Sequence, residues 1–379
     1  MNKYRLFAPG PTPVADEIAL EMAGPIIHHR TKEFEKIVAE VRDGLKWLFQ
    51  TKQEVMLLAS SGTGAMESAI INTLNAGDQV IVVDGGKFGE RWWKLAQAHG
   101  IKPEIIKVPW GEAVDPKEIE TRLQTGKYRA VFVQASESST GVYHPIREIA
   151  ALTKGREDVL CVVDAISALG AVNLPMDEWG IDMLIAGSQK ALSLPPGLAF
   201  IALSSKAWKF AESSKLPKFY FDLKRELKNI QTNQSAFTPA ISLVIGLRKA
   251  LEMMREEGLE QLFARHDRLA RATREGMKAL GLKIYAKVPV NSLTAVQVPE
   301  GMDAQKIYKI LQDKFNMTIA GGQDAAKGKI FRIAHLGWFD DLDMVTVVGA
   351  VELALAELGH KFELGSGVGA VLKVLREKH

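Results

Sequence analysis

Residues 181–192, IDMLIAGSQKAL, place a lysine directly after an apolar run that is typical of a buried strand. Gly187 and Ser188 interrupt the apolar run, and Lys190 follows among small and apolar residues. Residues 187–200 contain no carboxylate that would pair with its ammonium group. Two interpretations remain open. The aliphatic stem of Lys190 lies along an apolar surface with its charge in water, or the amine is desolvated and serves as a nucleophile for Schiff-base chemistry.

The composition of the whole chain is that of an ordinary globular protein. It has 379 residues, of which 47% are hydrophobic and 25% are charged. A formal net charge of +3, without a Lys/Arg block, argues against a nucleic-acid-binding protein. The single cysteine, Cys161, excludes an intrachain disulfide and fits a reducing compartment. Because the sequence has neither a signal-peptide pattern nor a run of about eighteen apolar residues, we expect a soluble, cytoplasmic protein without membrane contact.

Short apolar runs alternate with amphipathic stretches between residues 54 and 204. Seven of these runs predict strands: EVMLLAS, QVIVVDGG, PEIIKVP, RAVFVQAS, DVLCVVDAIS, DMLIAGSQK and LAFIALS. Near-continuous apolar strands separated by helices predict an α/β fold whose mostly parallel, seven-stranded sheet is covered by helices on both faces. In such sheets the functional residues lie in loops at the carboxyl ends of the strands.

The pattern changes after residue 215, where helical periodicity dominates. Residues 238–281 predict one long helix or two, and a smaller α+β pattern follows them. We therefore expect three parts: an N-terminal segment, residues 1–20, that packs with the small domain, a large domain at residues 21–260, and a small C-terminal domain at residues 261–379.

Residues 59–70, ASSGTGAMESAI, lie between a predicted strand and a predicted helix. Their small residues allow a tight turn, so that N–H groups at the helix start face an anion, which the helix dipole also favours. The segment has Glu67 where a dinucleotide-binding fingerprint needs its last glycine, and it lacks the Gly-Lys-Ser/Thr ending of a nucleotide-binding loop. It therefore suits a single phosphate, with a glycine-rich turn that binds nothing as the alternative.

Two charged residues are placed unusually in apolar runs. Asp164 ends the run LCVVD, where a carboxylate is costly without a cationic partner. It either caps a helix or turn or pairs with the protonated ring nitrogen of a cofactor. Arg332 lies within KIFRIAH and forms either an internal salt bridge or a bidentate contact with a substrate carboxylate. Together with Lys190 and the phosphate-binding segment, these residues are the set that pyridoxal-phosphate catalysis on amino acids requires.

Nine motifs follow one another along nearly the whole chain: FAPGPTPV, HHRTKEF, SSGTGAMES, GKFGERW, SESSTGV, VDAISALG, GSQKAL, FTPAISL and FRIAHLGW. With this set of motifs the sequence resembles the class V, fold-type I, pyridoxal-phosphate-dependent aminotransferases, specifically the alanine–glyoxylate and serine–pyruvate aminotransferase group. The resemblance implies pyridoxal 5'-phosphate as the cofactor and a homodimer with shared active sites. It also implies transamination between a small L-amino acid, such as alanine or serine, and a 2-oxo acid, such as glyoxylate or pyruvate.

The resemblance assigns a role to each matching residue. It implies that Lys190 is the Schiff-base lysine and that Asp164 is the partner of the pyridinium nitrogen, and these two are the expected catalytic residues. Arg332 is implied as the ligand of the substrate carboxylate. The further residues implied at the cofactor are the phosphate-binding residues Ser61, Gly62, Thr63 and Gln189, the ring-stacking Phe88, for which many relatives have tryptophan, Ser138 near the phenolic oxygen, Ile166 on the other ring face, and Thr238 as the phosphate ligand from the second subunit.

Three rival interpretations concern the substrate or the activity itself. Phosphoserine aminotransferase remains an alternative, because the pair His29–Arg30 resembles the His-Arg element with which that family holds a substrate phosphate. A non-catalytic partner protein on the same fold is disfavoured, because Lys190 and its partners are intact. A cysteine desulfurase is excluded, because it needs a cysteine on a loop after the lysine, whereas Cys161 lies in an apolar strand before it. No metal site is expected.

Overall fold

The computed structural model describes residues 3–377. Its strands are β1 (Arg5–Leu6), β2 (Val55–Leu58), β3 (Gln79–Asp84), β4 (Lys102–Lys107), β5 (Ala130–Gln134), β6 (Ser136–Glu137), β7 (Val142–Tyr143), β8 (Leu160–Asp164), β9 (Met183–Gly187), β10 (Ala199–Leu203), β11 (Lys283–Ile284), β12 (Leu293–Gln297), β13 (Met317–Thr318), β14 (Ala320–Gly321) and β15 (Ile330–Ala334). Its helices are α1 (Asp16–Met22), α2 (Lys32–Phe49), α3 (Gly62–Thr73), α4 (Lys87–Ala98), α5 (Pro116–Thr125), α6 (Ile146–Thr153), α7 (Met176–Trp179), α8 (Ser205–Ser213), α9 (Leu223–Ile230), α10 (Ile241–Glu257), α11 (Leu259–Ala279), α12 (Ala304–Phe315), α13 (Asp341–Glu357) and α14 (Ser366–Arg376).

A seven-stranded sheet in the order β2-β10-β9-β8-β5-β3-β4 forms the centre of the fold. Its neighbouring strands are parallel except at β10, which is antiparallel to both β2 and β9. Every residue of β5, β8, β9 and β10 is buried, as expected for strands that are covered on both faces. The predicted α/β fold with a mostly parallel, seven-stranded sheet is confirmed.

Alternation along the strands divides the core of this sheet into two layers. Val131 and Val133 of β5 belong to a hydrophobic cluster with residues of α2, α5, α6 and α10. Ala130 and Phe132, which point the opposite way, belong to a cluster with residues of α3, α4 and α8. Since helices occupy both faces, the carboxyl edge of the sheet is where loops from several strands meet.

A second sheet, of order β11-β12-β15-β14, is antiparallel and has four strands. It packs with helices α11 to α14 around its own hydrophobic cluster, to which Phe331 and Val348 belong. Phe7 joins this cluster, and β1 pairs in parallel with β13. The N-terminal strand therefore lies against the smaller sheet's layer, while the division of the chain at residues 20 and 260 stays a prediction.

The stretch 238–281, for which one or two helices were open, contains two. α10 ends at Glu257, and Gly258 follows with a φ of +83°, a conformation that glycine adopts without a Cβ clash. α11 begins at Leu259. None of the helices within residues 3–377 is long and apolar enough to cross a membrane.

Candidate active site

The carboxyl ends of β8 and β9 bring two of the predicted site residues to one edge of the central sheet. These strands are parallel neighbours in which Asp164 lies opposite Ile185. β8 ends at Asp164, and β9 ends at Gly187, shortly before Lys190. Adjacent carboxyl ends of this kind are where open α/β sheets bind ligands.

Lys190 lies in a loop that is tied to its surroundings on two sides. The Oγ of Ser188 donates a hydrogen bond to the carbonyl of Pro195 at 2.8 Å. From the N-terminal segment, Thr12 Oγ1 donates to the carbonyl oxygen of Lys190 at 2.8 Å. The Nζ of Lys190 itself donates to the carbonyl of Pro9. The N-terminal segment thus helps to hold the lysine at the edge of the sheet.

The amine of Lys190 is desolvated rather than paired with a carboxylate. Burial lowers its pKa to about 8 from an ordinary value of 10.5. Asp164 opposes this shift, whereas Arg332 and Arg91 add to it. At pH 8 about half of such amines are unprotonated. This environment favours the nucleophilic amine over the solvated lysine that the sequence left open.

Asp164 is a buried carboxylate that forms no ion pair with any residue in the described part of the chain. It is 4% exposed, and its Oδ1 accepts a hydrogen bond from Ile166 N at 2.8 Å. This bond to the amide two residues further on is the one expected of a turn aspartate. The pKa of Asp164 is raised to about 6, chiefly by burial and to a smaller extent by Glu137, against the opposing effects of the Ile166 amide, Arg91 and Lys190. A protonated ring nitrogen beside Asp164 would stabilise its ionised form.

The start of α3 has the features of an anion site. Ser61 is the N-cap of α3 but makes no side-chain capping bond, so that, although Gly64 N donates to the Ser61 carbonyl at 2.9 Å, the amides of Gly62 and Thr63 have no acceptor within the helix. A Cβ on Gly62 would lie 2.3 Å from Ile166 Cδ1, a contact that only glycine permits without a shift. Thr63 Oγ1 accepts a hydrogen bond from Arg91 Nη1 at 3.0 Å, which brings a positive charge to the helix start.

Gln189 is half-buried, and its side-chain oxygen is a buried atom without a hydrogen-bond partner among residues 3–377. This Oε1 lies near Gly187, where an added Cβ would be 3.1 Å away from it. The side chain of Ile166 contacts both Gly187 and Gly62. The Gln189 amide, which is next to Gly187, and the start of α3, which contains Gly62, therefore lie close to the same side chain. Rotation of the amide would present its NH₂ group instead of its oxygen. The residues present therefore fit a bound phosphate, whose oxygens would satisfy both groups.

Arg332 lies on β15 and reaches the same region from the smaller sheet. It is 7% exposed, and its Nη1 donates to the Ser138 carbonyl at 2.7 Å. Its Nη2 and Nε donate to the Gly321 carbonyl at 2.7 and 3.1 Å. These partners are carbonyls, and no ion pair of Arg332 occurs within the described range, so the internal salt bridge is not found there. Burial lowers the pKa of Arg332 to about 10, which still leaves the guanidinium charged at neutral pH, and Glu137 opposes that shift.

Phe88 is held at the start of α4 by a residue that the sequence analysis missed. The amides of Phe88 and Gly89 donate to Glu137 Oε2 at 3.1 and 3.0 Å. Arg91, also missed, has its guanidinium carbon 4.8 Å from the centre of the Phe88 ring. Glu137 directly follows the predicted strand RAVFVQAS, a placement similar to that of Asp164, but the sequence analysis assigned a role only to Ser138 in this segment.

Three further predicted residues are carried by segments outside the carboxyl edge of the central sheet. Thr238 is exposed on the segment between α9 and α10. Arg30 is also exposed, and its Nη1 donates to Gln234 Oε1 on that segment at 2.6 Å. The ring of His29 packs against His28 with centres 4.6 Å apart. Over residues 3–377, none of the three hydrogen-bonds to the other predicted site residues.

Comparison with known proteins identifies the class of this chain. It matches the model of the class-V aminotransferase family over residues 16–337. It is 46% identical to a protein named as the small subunit of a soluble hydrogenase from Synechococcus sp., over 99% of both chains. It is 36% identical to the L-aspartate–glyoxylate aminotransferase of Paracoccus denitrificans, over 98% of this chain and 96% of that one. It is 37% identical to the serine–glyoxylate aminotransferase of Methylorubrum extorquens, over 99% and 97%.

The fold gives the same result. The crystal structure of ureidoglycine–glyoxylate aminotransferase from Bacillus subtilis matches with a TM-score of 0.94 at 28% identity, over 99% of each chain. The chain belongs to the class-V aminotransferase family, as its motifs indicated. It is therefore a transaminase, and its family implies pyridoxal phosphate as the cofactor. Within the described residues, no group of three or more His, Cys, Asp or Glu side chains could hold a metal ion.

Proposed function

We propose that this transaminase moves an amino group between a small L-amino acid, with alanine or serine as the expected donor, and glyoxylate or pyruvate. The observation that carries the proposal is the desolvated Lys190 amine beside Asp164, with Arg332 facing them from the smaller sheet. Three relatives named above act on glyoxylate by name, which supports that acceptor. Their names differ in the donor, so the donor rests on the sequence resemblance.

The residues of the site divide the work of holding the cofactor. Lys190 is the proposed attachment point, and Asp164 keeps the ring nitrogen protonated. Ser61, Gly62, Thr63 and Gln189 hold the phosphate, Phe88 and Ile166 enclose the ring, and Ser138 lies near the phenolic oxygen. When bound, pyridoxal phosphate supplies an aldehyde for the amino group and a ring that takes up the electrons released at the α-carbon.

Lys190 is also the proposed proton-transfer group. An amine with a pKa of about 8 is close to the optimum for taking and returning a proton near neutral pH. Arg332 cannot serve in this way, because a guanidinium stays protonated. Its proposed task is to bind the substrate carboxylate, and its orientation by two carbonyls leaves a planar, charged group for that contact.

Replacing Arg332 with lysine is expected to raise the KM of the amino donor by about 100-fold, with a smaller change in kcat. Lysine keeps the charge but loses the planar pair of donors that matches a carboxylate. Steady-state kinetics with the best donor measure this. Arg147→Lys, at an exposed position on α6, is the control and should behave like wild type. A wild-type KM in Arg332→Lys would contradict the assignment.

The proposal includes a homodimer in which Thr238, His29 and Arg30 reach the partner's site. The bond between Arg30 and Gln234 joins the two segments that carry these residues. Phe219 and Tyr220, which precede α9, are 68% and 49% exposed. Tyr220 stacks on Phe237 of the segment between α9 and α10, with ring centres 5.1 Å apart. Aromatic groups exposed together are typical of an interaction surface.

Light scattering of the purified protein is expected to give twice the chain mass of 41.7 kDa. The reason is that Thr238 and Arg30, which are expected at the phosphate and the substrate, are exposed in one chain and are proposed to act across an interface. Dilution of the protein to the nanomolar range provides the control for weak association. A single-chain mass with full activity would contradict the shared site.

The function itself is tested by the absorption spectrum of the protein loaded with pyridoxal phosphate. L-alanine, L-serine, L-aspartate, L-glutamate and phosphoserine are added one at a time without an acceptor. We expect serine or alanine to remove the yellow band at the lowest concentration, and glyoxylate or pyruvate to restore it. A response to phosphoserine alone would favour the phosphoserine alternative. A protein that remains colourless with added cofactor would contradict the proposal.

A further inference from the structure

Glu137 is a completely buried carboxylate that the proposed reaction does not use. Its Oε1 accepts hydrogen bonds from Ser139 N at 3.2 Å and Ser139 Oγ at 2.5 Å. Its Oε2 accepts from Phe88 N, Gly89 N and Gln134 Nε2 at 3.1, 3.0 and 3.1 Å. A buried carboxylate is costly unless such bonds offset its desolvation. Burial raises the pKa of Glu137, whereas its bonds from Ser139, Gly89 and Phe88 lower it.

These bonds make Glu137 an external cap for α4. The N-cap of α4 is Gly86, which has no side chain to satisfy the first amides of the helix. Glu137 accepts from the amides of Phe88 and Gly89, and Ser139 Oγ accepts from Lys87 N at 3.0 Å. A Cβ on Gly86 would lie 2.4 Å from Ser139 Oγ, so the two segments meet closely. The helix dipole also favours a carboxylate at this end.

The same carboxylate fixes the turn that contacts Arg332. Glu137 binds both the amide and the hydroxyl of Ser139, and the intervening Ser138 carbonyl accepts from Arg332 Nη1 at 2.7 Å. The turn closes through hydrogen bonds from the amides of Thr140 and Gly141 to the Glu137 carbonyl, at 3.0 and 2.8 Å. One side chain therefore connects the aromatic residue on one side of the site with the guanidinium on the other.

We propose that Glu137 is a positioning residue that sets the orientation of Phe88 and Arg332 together, by capping α4 and fixing the turn at residues 137–141. The inference rests on the proposed function of those two residues at the cofactor and the substrate carboxylate. Glu137 touches neither reactant and acts through the backbone. Its ionised form fits best, because three of its partners are backbone N–H groups, of Phe88, Gly89 and Ser139, which can only donate.

Glu137→Gln tests this inference, since glutamine keeps the shape but replaces one acceptor oxygen with an NH₂ group. In either orientation at least one buried backbone amide, of Ser139 or of Phe88 and Gly89, loses its acceptor. We expect the donor KM and the dissociation constant of pyridoxal phosphate each to rise about 10-fold, with a smaller change in kcat. The cofactor affinity is measured by fluorescence titration of the apoprotein, which needs no turnover.

Matched variants separate positioning from stability. Glu148→Gln, at an exposed position on α6, should match wild type in all measurements. Ser139→Ala keeps the carboxylate but removes one of its donors and the acceptor of Lys87 N, so both constants should rise about 3-fold. A folded Glu137→Gln protein with lower thermal stability but wild-type KM and cofactor affinity would overturn the inference. If Glu137→Gln does not fold, wild-type constants in Ser139→Ala would overturn it.

The outcomes for Glu137 are distinct from those for the proposed function. A wild-type protein that transaminates no donor contradicts the proposed function, whatever its cofactor affinity. A wild-type protein that transaminates, together with variants at Glu137 and Ser139 that bind cofactor and donor normally, contradicts only the positioning role.

Discussion

Replacing Lys190 with alanine is expected to reduce kcat by at least about 10⁴-fold, because one amine serves as both attachment point and proton-transfer group. The two neighbouring cations, Arg91 and Arg332, cannot replace it, since neither guanidinium gives up a proton. Lys190→Arg should be equally inactive, as it keeps the positive charge without the nucleophile. Turnover is measured at saturating pyridoxal phosphate with the best donor.

The control for Lys190 is Lys209→Ala. The side chain of Lys209 is 70% exposed and pairs with the exposed Glu157, so its removal should leave kcat and KM unchanged. Turnover of Lys190→Ala within about 100-fold of wild type would exceed what an absent catalytic base permits and would contradict the assignment.

Replacing Asp164 with asparagine is expected to lower kcat by about 10²- to 10⁴-fold, because the ring nitrogen loses the anion that keeps it protonated. Burial raises the pKa of Asp164 to about 6 in the chain without cofactor, and a protonated ring nitrogen beside it lowers that pKa, so the wild-type activity should fall only when the pH drops below 6 and the carboxylate is protonated. Asp164→Asn should lack this limb of the pH profile. Kinetics between pH 5 and pH 8 measure both effects.

The same variant should stabilise the apoprotein. The folded-state pKa of about 6 lies above the ordinary 3.8, so ionised Asp164 destabilises the fold fully above pH 6 and not at all below pH 3.8. Asp164→Asn should therefore raise the free energy of unfolding by up to about 3 kcal/mol at pH 7, and less as the pH falls towards 4. Asp158→Asn, at an exposed position just before the other end of β8, is the control. Equal activity in Asp164→Asn and wild type would contradict the assignment.

The fold could be predicted closely from the sequence because its central strands are nearly continuous apolar runs. Each of the seven runs forms a strand of the central sheet. The pattern is clearest for β5, β8, β9 and β10, which are buried throughout, because a strand covered on both faces needs apolar residues at every position. The direction of β10 could not be predicted, because an apolar run has the same composition in either direction. Whether residues 238–281 form one helix or two could not be predicted for a related reason, because helical periodicity continues on both sides of Gly258.

The site residues that could be predicted are those whose chemistry conflicts with their surroundings. Lys190, Asp164 and Arg332 are charged residues within apolar segments, where a charge is unfavourable without a partner, and this is visible in the sequence. Glu137 was missed because its significance depends on amides at residues 88 and 89, far away along the chain. Arg91 was missed because a cation on an amphipathic helix is ordinary. The proposed roles of Thr238, His29 and Arg30 rest on the proposed homodimer, whose contacts lie between chains rather than within one.

The most direct test of the account is to find which residue carries the cofactor. The protein is loaded with pyridoxal phosphate, treated with borohydride to make the covalent link permanent, digested and analysed by mass spectrometry. We expect a single modified peptide that contains Lys190, and its loss in Lys190→Arg. Stoichiometric modification of another lysine, or of none while the protein still transaminates, would contradict it.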